Sequence, residues 1–186
     1  MPKKIDEEEV FKAVITLLVA RGYERTTTSE MAAAANVHEA TLFRKYGSKV
    51  GLIERAIAHQ LSETPMSKVR YSGDLRVDLT LILEAYLATV TEHGEIMPML
   101  LVEIPRHPEL KNTLQAALAN IQGIVRIIER YQQEGHLKKE PPLVTVNALL
   151  APMMVNEMYR RVNDAILLSM ITVQEYVEAF LFGRKL

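Results

Sequence analysis

Residues 27–49 constrain this chain more than any other stretch, because two short helical patterns meet there at a tight corner. Thr27 is a favourable N-cap, and Glu30 follows three residues later. That is the spacing of a capping box, in which side chains satisfy the orphan N–H groups of a helix start. Met31, Ala32 and Ala35 give the first helix a small apolar face that another helix can approach closely. Asn36 tolerates the left-handed conformation that ends a helix and turns the chain. Val37, apolar at the corner, plugs it. A second helix starts near His38 and buries Leu42, which leaves Glu39, Thr41, Phe43, Arg44 and Lys45 around the rest of it. Two readings fit this segment alone. One is an ordinary helical hairpin with a polar corner. The other is a helix-turn-helix, whose second helix lies in the major groove of DNA.

The flanks favour the second reading. Gly22-Tyr23, Thr26-Thr27, Met31-Ala32, Val37, Leu42-Phe43, Tyr46, Ser48-Lys49 and Leu52 fall without a gap into one pattern. It resembles the DNA-binding domain of the TetR family of bacterial transcriptional regulators over about the first quarter of the chain. The sequence departs from the family pattern in places. Asn36 stands where the turn Gly is usual, His38 where a capping Ser is usual, Ala40 in place of a Gly and Phe43 in place of a Tyr. Arg44 and Lys45 add positive charge where phosphates would lie. The resemblance implies phosphate contacts from Thr27, Tyr46 and Lys49, and base-edge contacts from the second helix. The full expected DNA-facing set is Thr27, Thr28, His38, Glu39, Ala40, Thr41, Phe43, Arg44, Lys45, Tyr46 and Lys49.

Composition narrows the partners only a little. The chain of 186 residues is 48% hydrophobic and 24% charged, enough apolar material for a real core. Its net charge of −1 gives no general attraction to nucleic acid, so any such affinity rests on a local basic patch. There is no Cys, which excludes disulfides and thiolate metal sites and suits a reducing cytoplasm. The first residues lack the apolar run of a signal peptide, and no segment approaches the ~20 apolar residues that span a bilayer. The expectation is a cytoplasmic protein with no membrane partner.

Helical periodicity runs through the whole chain, and an all-α fold is expected. Val10, Phe11, Val14, Ile15, Leu17 and Leu18 mark a first helix, capped by Asp6 and ended by Gly22. Glu7, Glu8 and Glu9 suit its dipole as a solvated cap with no further role. Ser48 caps a fourth helix that runs to about Leu61. Residues 63–67 and Ser72-Gly73 then break the pattern. The expected division is a helix-turn-helix domain over 1–47 and a helical regulatory and dimerisation domain over 48–186, with a linking helix at about 48–62. Further helices are expected over 75–93, from Pro108 to Gly135, over 143–162 with a kink at Pro152, and from Thr172 to Gly183. The last of these begins with a second capping box, Thr172 with Glu175.

Enzymatic chemistry finds no support. No phosphate loop, dinucleotide turn or nucleophile elbow is present, and the five histidines are scattered. His93, Glu103 and His107 are better read as polar residues at helix ends than as metal ligands. No metal and no cofactor are expected. Two apolar segments, each broken by a Pro, concentrate Met97, Met99, Met153, Met154 and Met158. Methionine suits adaptable surfaces, so an internal pocket is one reading and plain core packing the other. The pocket residues would be Tyr86, His93, Met97, Leu100, Leu101, Glu103, Met153, Met154, Asn156 and Glu157.

The expected function is a homodimeric, DNA-binding transcriptional regulator. It would be a repressor released from a palindromic double-stranded operator by a small-molecule effector in the C-terminal domain. The final helices are apolar on more than one side, and the resemblance implies dimerisation through them. Leu149, Met158, Tyr176 and Phe180 are the expected interface residues, with Tyr176 and Phe180 near its centre. The alternative is a helical protein-interaction adaptor without DNA binding.

Overall fold

Asp6 opens the first helix by accepting the backbone N–H groups of Glu8 at 3.1 Å and Glu9 at 3.4 Å. The structure, a computed structural model, describes residues 6–162 and 171–183. Among them every regular element is a helix: α1 (Glu7–Arg21), α2 (Thr28–Ala34), α3 (Glu39–Tyr46), α4 (Lys49–Ser62), α5 (Pro65–Lys68), α6 (Leu75–His93), α7 (Ile96–Glu103), a 3-10 helix over Pro108–Leu114, α8 (Gln115–Gln133), α9 (Pro142–Val162) and α10 (Val173–Phe182). The chain folds all-α, as its periodicity predicts.

Packing sorts these helices into two units. The first takes the residues up to Glu63 together with Glu95–Leu118. The second takes Thr64–Gly94 and the described residues from Ala119 onward. Helix α4 was expected to link two domains split at residue 47. Its apolar face instead lies wholly in the first core: Leu52, Ile53, Ala56, Ile57 and Leu61 are buried with Val10, Phe11, Val14 and Leu18 of α1. Ile96, Leu100 and Leu110 join the same core from far along the chain.

The second core is built by α6, α8, α9 and α10. Leu79, Ile82 and Leu83 meet Ile124, Ile128, Val146, Leu149, Val177 and Leu181. At its edge Asp78, fully buried, accepts the hydroxyl of Tyr131 at 2.5 Å and both the N–H and the hydroxyl of Ser72, at 2.9 and 2.5 Å. Burial and the Asp78 carboxylate both push the Tyr131 phenol up. A buried carboxyl needs hydrogen-bond partners, and here both of its oxygens have one or more.

One expectation changes in detail. The helix expected from Pro108 to Gly135 starts as a 3-10 turn, and α-helical geometry begins only at Gln115. Helix α9 spans Pro142–Val162 with Pro152 inside it, within one residue of the expected bounds. Proline lacks an N–H and leaves the carbonyl four residues before it, that of Ala148, without its helical donor. The hydroxyl of Tyr176, on α10, donates to that carbonyl at 3.1 Å and to the Leu149 carbonyl at 3.1 Å. At the other end of α9, the guanidinium of Arg161 donates to the Val90 and Thr91 carbonyls at 2.9 and 3.4 Å and so caps α6.

Candidate nucleic-acid interface

The corner between α2 and α3 forms as its residues require. The Thr27 hydroxyl accepts the Glu30 N–H at 3.2 Å, and the Glu30 carboxylate accepts the Thr27 N–H at 2.8 Å. The Thr27 N–H, with the Thr27 hydroxyl, which also donates to the carboxylate at 3.0 Å, holds the Glu30 carboxyl below its ordinary range. Arg21 ties α1 to the same carboxylate at 2.9 Å. Asn36 takes a positive φ of 52°, the left-handed turn that lets Val37 fold back on the core. His38 stands at the N-cap of α3 but makes no side-chain capping bond.

Leu42 alone among the residues of α3 is fully inward, at 1% exposure. Glu39, Ala40, Phe43 and Arg44 follow one another at helical spacing and form its exposed strip; Lys45 is also exposed. Phe43 is 57% exposed, an unusual position for a large apolar ring. Arg44 makes no ion pair among the described residues. Thr41 and Tyr46 are half-buried, as are Thr28 and Lys49, while Thr27 and His38 are exposed.

Three of the expected contacts already have partners in the chain. The Lys45 ammonium pairs with the Glu7 carboxylate at 2.9 Å, and the Tyr46 hydroxyl donates to the same oxygen at 3.0 Å. Glu7 therefore does more than cap α1. The bond from Lys45, then that from Tyr46, holds its carboxyl below the usual range. Lys49 donates to the Tyr23 carbonyl at 2.5 Å and lies 3.9 Å from the centre of the Tyr23 ring. Burial pulls its ammonium below the ordinary lysine value.

Tyr23 itself is held from a distant part of the chain. Its backbone N–H donates to Glu103 at 3.1 Å, and its ring packs on His107 with centroids 4.6 Å apart. Gly22 has φ 77°, and a β-carbon there would sit 2.6 Å from the Glu103 carboxylate. Only glycine fits this corner. Neither Glu7 nor His107 was legible as a site residue, because both act across gaps with no local sequence period.

The residues expected to line one effector pocket divide between the units. Met97, Leu100, Leu101 and Glu103 belong to the first; Tyr86, His93, Met153, Met154, Asn156 and Glu157 belong to the second. Leu100 is core and Leu101 is exposed. Glu103 is committed to Tyr23 and approaches His107 at 3.7 Å. In the second unit Met153 is core, and the Glu157 carboxylate takes Arg160 at 2.5 Å and Arg161 at 3.3 Å. Tyr86, Met154 and Asn156 are half-buried, and burial pushes the Tyr86 phenol up to about 12. Among the described residues no group of three or more His, Asp or Glu is placed to hold a metal ion. No described helix is long and apolar enough to cross a membrane.

The expected dimer residues differ in how far the single chain covers them. Leu149 and Phe180 are buried in the chain's own second core, and the Tyr176 hydroxyl is committed to α9. Met158 is 48% exposed, and Tyr176 is half-buried.

Comparison with known sequences decides the family. The profile described as bacterial regulatory proteins, tetR family, matches residues 10–56, and the profile of the tetracyclin repressor-like C-terminal domain matches residues 69–171. The chain belongs to the TetR family. A curated relative, the uncharacterized HTH-type transcriptional regulator Mb1581 of Mycobacterium bovis, is 31% identical over 109 residues, 59% of this chain and 53% of its own length. The HTH-type regulator YvkB of Bacillus subtilis is 36% identical over 90 residues, 48% of each chain. The chain thus spans about half the length of the curated relatives it matches. Among solved structures, the flavonoid-responsive regulator FrrA superposes with a TM-score of 0.70 at 21% identity, over 96% of both chains, which shows a shared TetR fold.

Proposed function

We propose that this TetR-family protein is a DNA-binding transcriptional repressor that acts as a two-fold homodimer and is released by a small-molecule effector. The observation that carries the DNA reading is α3. It is anchored by Leu42, it turns Glu39, Ala40, Phe43 and Arg44 to solvent, and it keeps the Arg44 guanidinium without an acidic partner among the described residues. An unpaired guanidinium reads guanine through a bidentate bond, and an exposed aromatic ring suits a thymine methyl. Thr27, Thr28, His38, Thr41, Lys45, Tyr46 and Lys49 surround this strip and supply contacts to phosphate and sugar.

The dimer face proposed in place of Leu149 and Phe180 is the outer stripe of α9. Ala151, Val155, Met158, Tyr159 and Val162 lie on one side of the helix, Val144 stands seven residues, two turns, before Ala151, and all six are exposed. Phe182, on α10, is 96% exposed. Apolar stripes of this length are covered in a stable protein, and a second copy covers them by symmetry. The effector reading rests on the family and on half-buried polar groups such as Tyr86 in the second unit. That FrrA is named for its response to flavonoids illustrates small-molecule control on this fold.

Selection from random duplexes, followed by titration of the recovered operator and of a scrambled duplex, tests the proposal. Arg44→Ala is expected to cost about 1–3 kcal/mol on the operator and to relax its preference. An Arg44→Ala variant with unchanged affinity and preference removes α3 from the DNA groove. A wild-type chain with no salt-dependent retention on DNA returns the reading to a protein-interaction adaptor.

A further inference from the structure

The second unit carries a concavity of about 460 Å³ between α5 with its following strand of chain and the face of α8 from Ala119 to Arg130. Its floor is apolar: Met66, Val69, Ile124 and Ile127. Its rim holds the guanidiniums of Arg70, Arg126 and Arg130, and no acidic residue lines it. Arg130 is compensated, for it pairs with Glu134 at 2.9 Å and lies 3.7 Å from the centre of the Tyr71 ring. The other two guanidiniums have no carboxylate among the described residues. Arg70 is fixed in place by donating to the Ser67 and Val69 carbonyls, each at 2.8 Å, which leaves its remaining donors free. A cavity of this size falls within the range of small-molecule sites, about 300–1,000 Å³.

Gly123 supplies an independent observation. It stands inside α8 and lines the concavity. A β-carbon there meets nothing within 4 Å, and its φ is not in the left-handed region. Neither a turn nor close packing in this chain calls for glycine, yet glycine weakens a helix interior. Its one local effect is to keep the wall of the groove open down to the backbone.

We propose that this groove is a binding site for a small amphipathic organic anion, an apolar body on the floor with its carboxylate between Arg126 and Arg70. Guanidiniums without internal counter-charge favour a carboxylate, with planar two-bond geometry. The apolar floor favours a body that an inorganic anion lacks.

Calorimetric titration of the full chain with decanoate, decanol and inorganic phosphate tests this. Decanoate is expected to bind saturably, one per chain, and decanol and phosphate at least tenfold more weakly. Arg126→Gln should weaken decanoate at least tenfold. Gly123→Phe, which fills the groove, should abolish its binding while the melting temperature stays at or above that of the wild type. Should that variant not fold, Gly123→Leu takes its place, since leucine is a strong helix former. Three results overturn the proposal: no decanoate binding to the wild type, decanol binding as tightly as decanoate, or decanoate binding unchanged in both Arg126→Gln and the folded Gly123 variant. None of these readouts involves DNA, so their failure leaves the operator reading standing.

Discussion

One carboxylate oxygen of Glu7 engages two groups of α3, the Lys45 ammonium and the Tyr46 hydroxyl. Lys45 must leave Glu7 to meet a phosphate. An exposed ion pair is worth about 0–1 kcal/mol, so Glu7→Gln is expected to tighten binding to any duplex, up to about fivefold, and to steepen its salt dependence. Titrations on operator and scrambled DNA at several salt concentrations check this; weaker binding by Glu7→Gln would make Glu7 a positioning group instead. Glu157 gives a stability prediction. The bond from Arg160, foremost, holds its folded-state carboxyl below the ordinary value. A depressed acid contributes stability that is present above the unfolded value of about 4.3 and is lost as pH falls through the folded one. Melting curves should therefore fall less steeply below about pH 4.5 for Glu157→Gln than for the wild type, from a lower plateau at neutral pH.

At the scale of the element, α9 depends on α10 for a bond it cannot make itself. Tyr176 satisfies the carbonyl that Pro152 strands. Tyr176→Phe is expected to cost about 1 kcal/mol. In a Pro152→Ala background, where the helix supplies its own donor, the cost should shrink, and a double-mutant cycle by chemical denaturation measures the coupling. A coupling of zero would mean that water serves the carbonyl equally well. The two capping boxes, at Thr27 and Thr172, were legible in the sequence because both partners lie three residues apart. So was the corner at Asn36, where a single residue type carries the turn. The service of Tyr176 to Ala148 was not legible, since proline announces a missing donor but not the side chain that replaces it. The 3-10 turn before α8 was hidden because Leu110 and Leu114 continue the apolar pattern of the helix that follows. That Leu149 and Phe180 pack into the chain's own core was not legible for a related reason. Helix α9 is apolar on two faces, and periodicity alone does not say which faces its own core.

For the whole molecule, the proposed assembly rests on the outer stripe of α9. A dimer that sets two α3 helices ~34–36 Å apart reads successive major grooves, and its operator is a palindrome. Val155→Glu, at a position exposed in the single chain, is expected to give monomers by light scattering and to lose operator binding with its helical signal intact. Phe180→Glu is the poorer test, because it places the charge in the chain's own core. A Val155→Glu chain that stays dimeric would move the interface off this stripe. The clamp on Tyr23 bears on a different matter, the modularity of such regulators. The head that ends at Glu63 takes its Tyr23 amide acceptor and ring partner from Glu103 and His107, forty residues and more downstream. Transplanting the head alone onto another regulator would leave that acceptor behind. A chimera retains its architecture only if residues 95–118 travel with the head, so the unit of inheritance here is discontinuous in the gene.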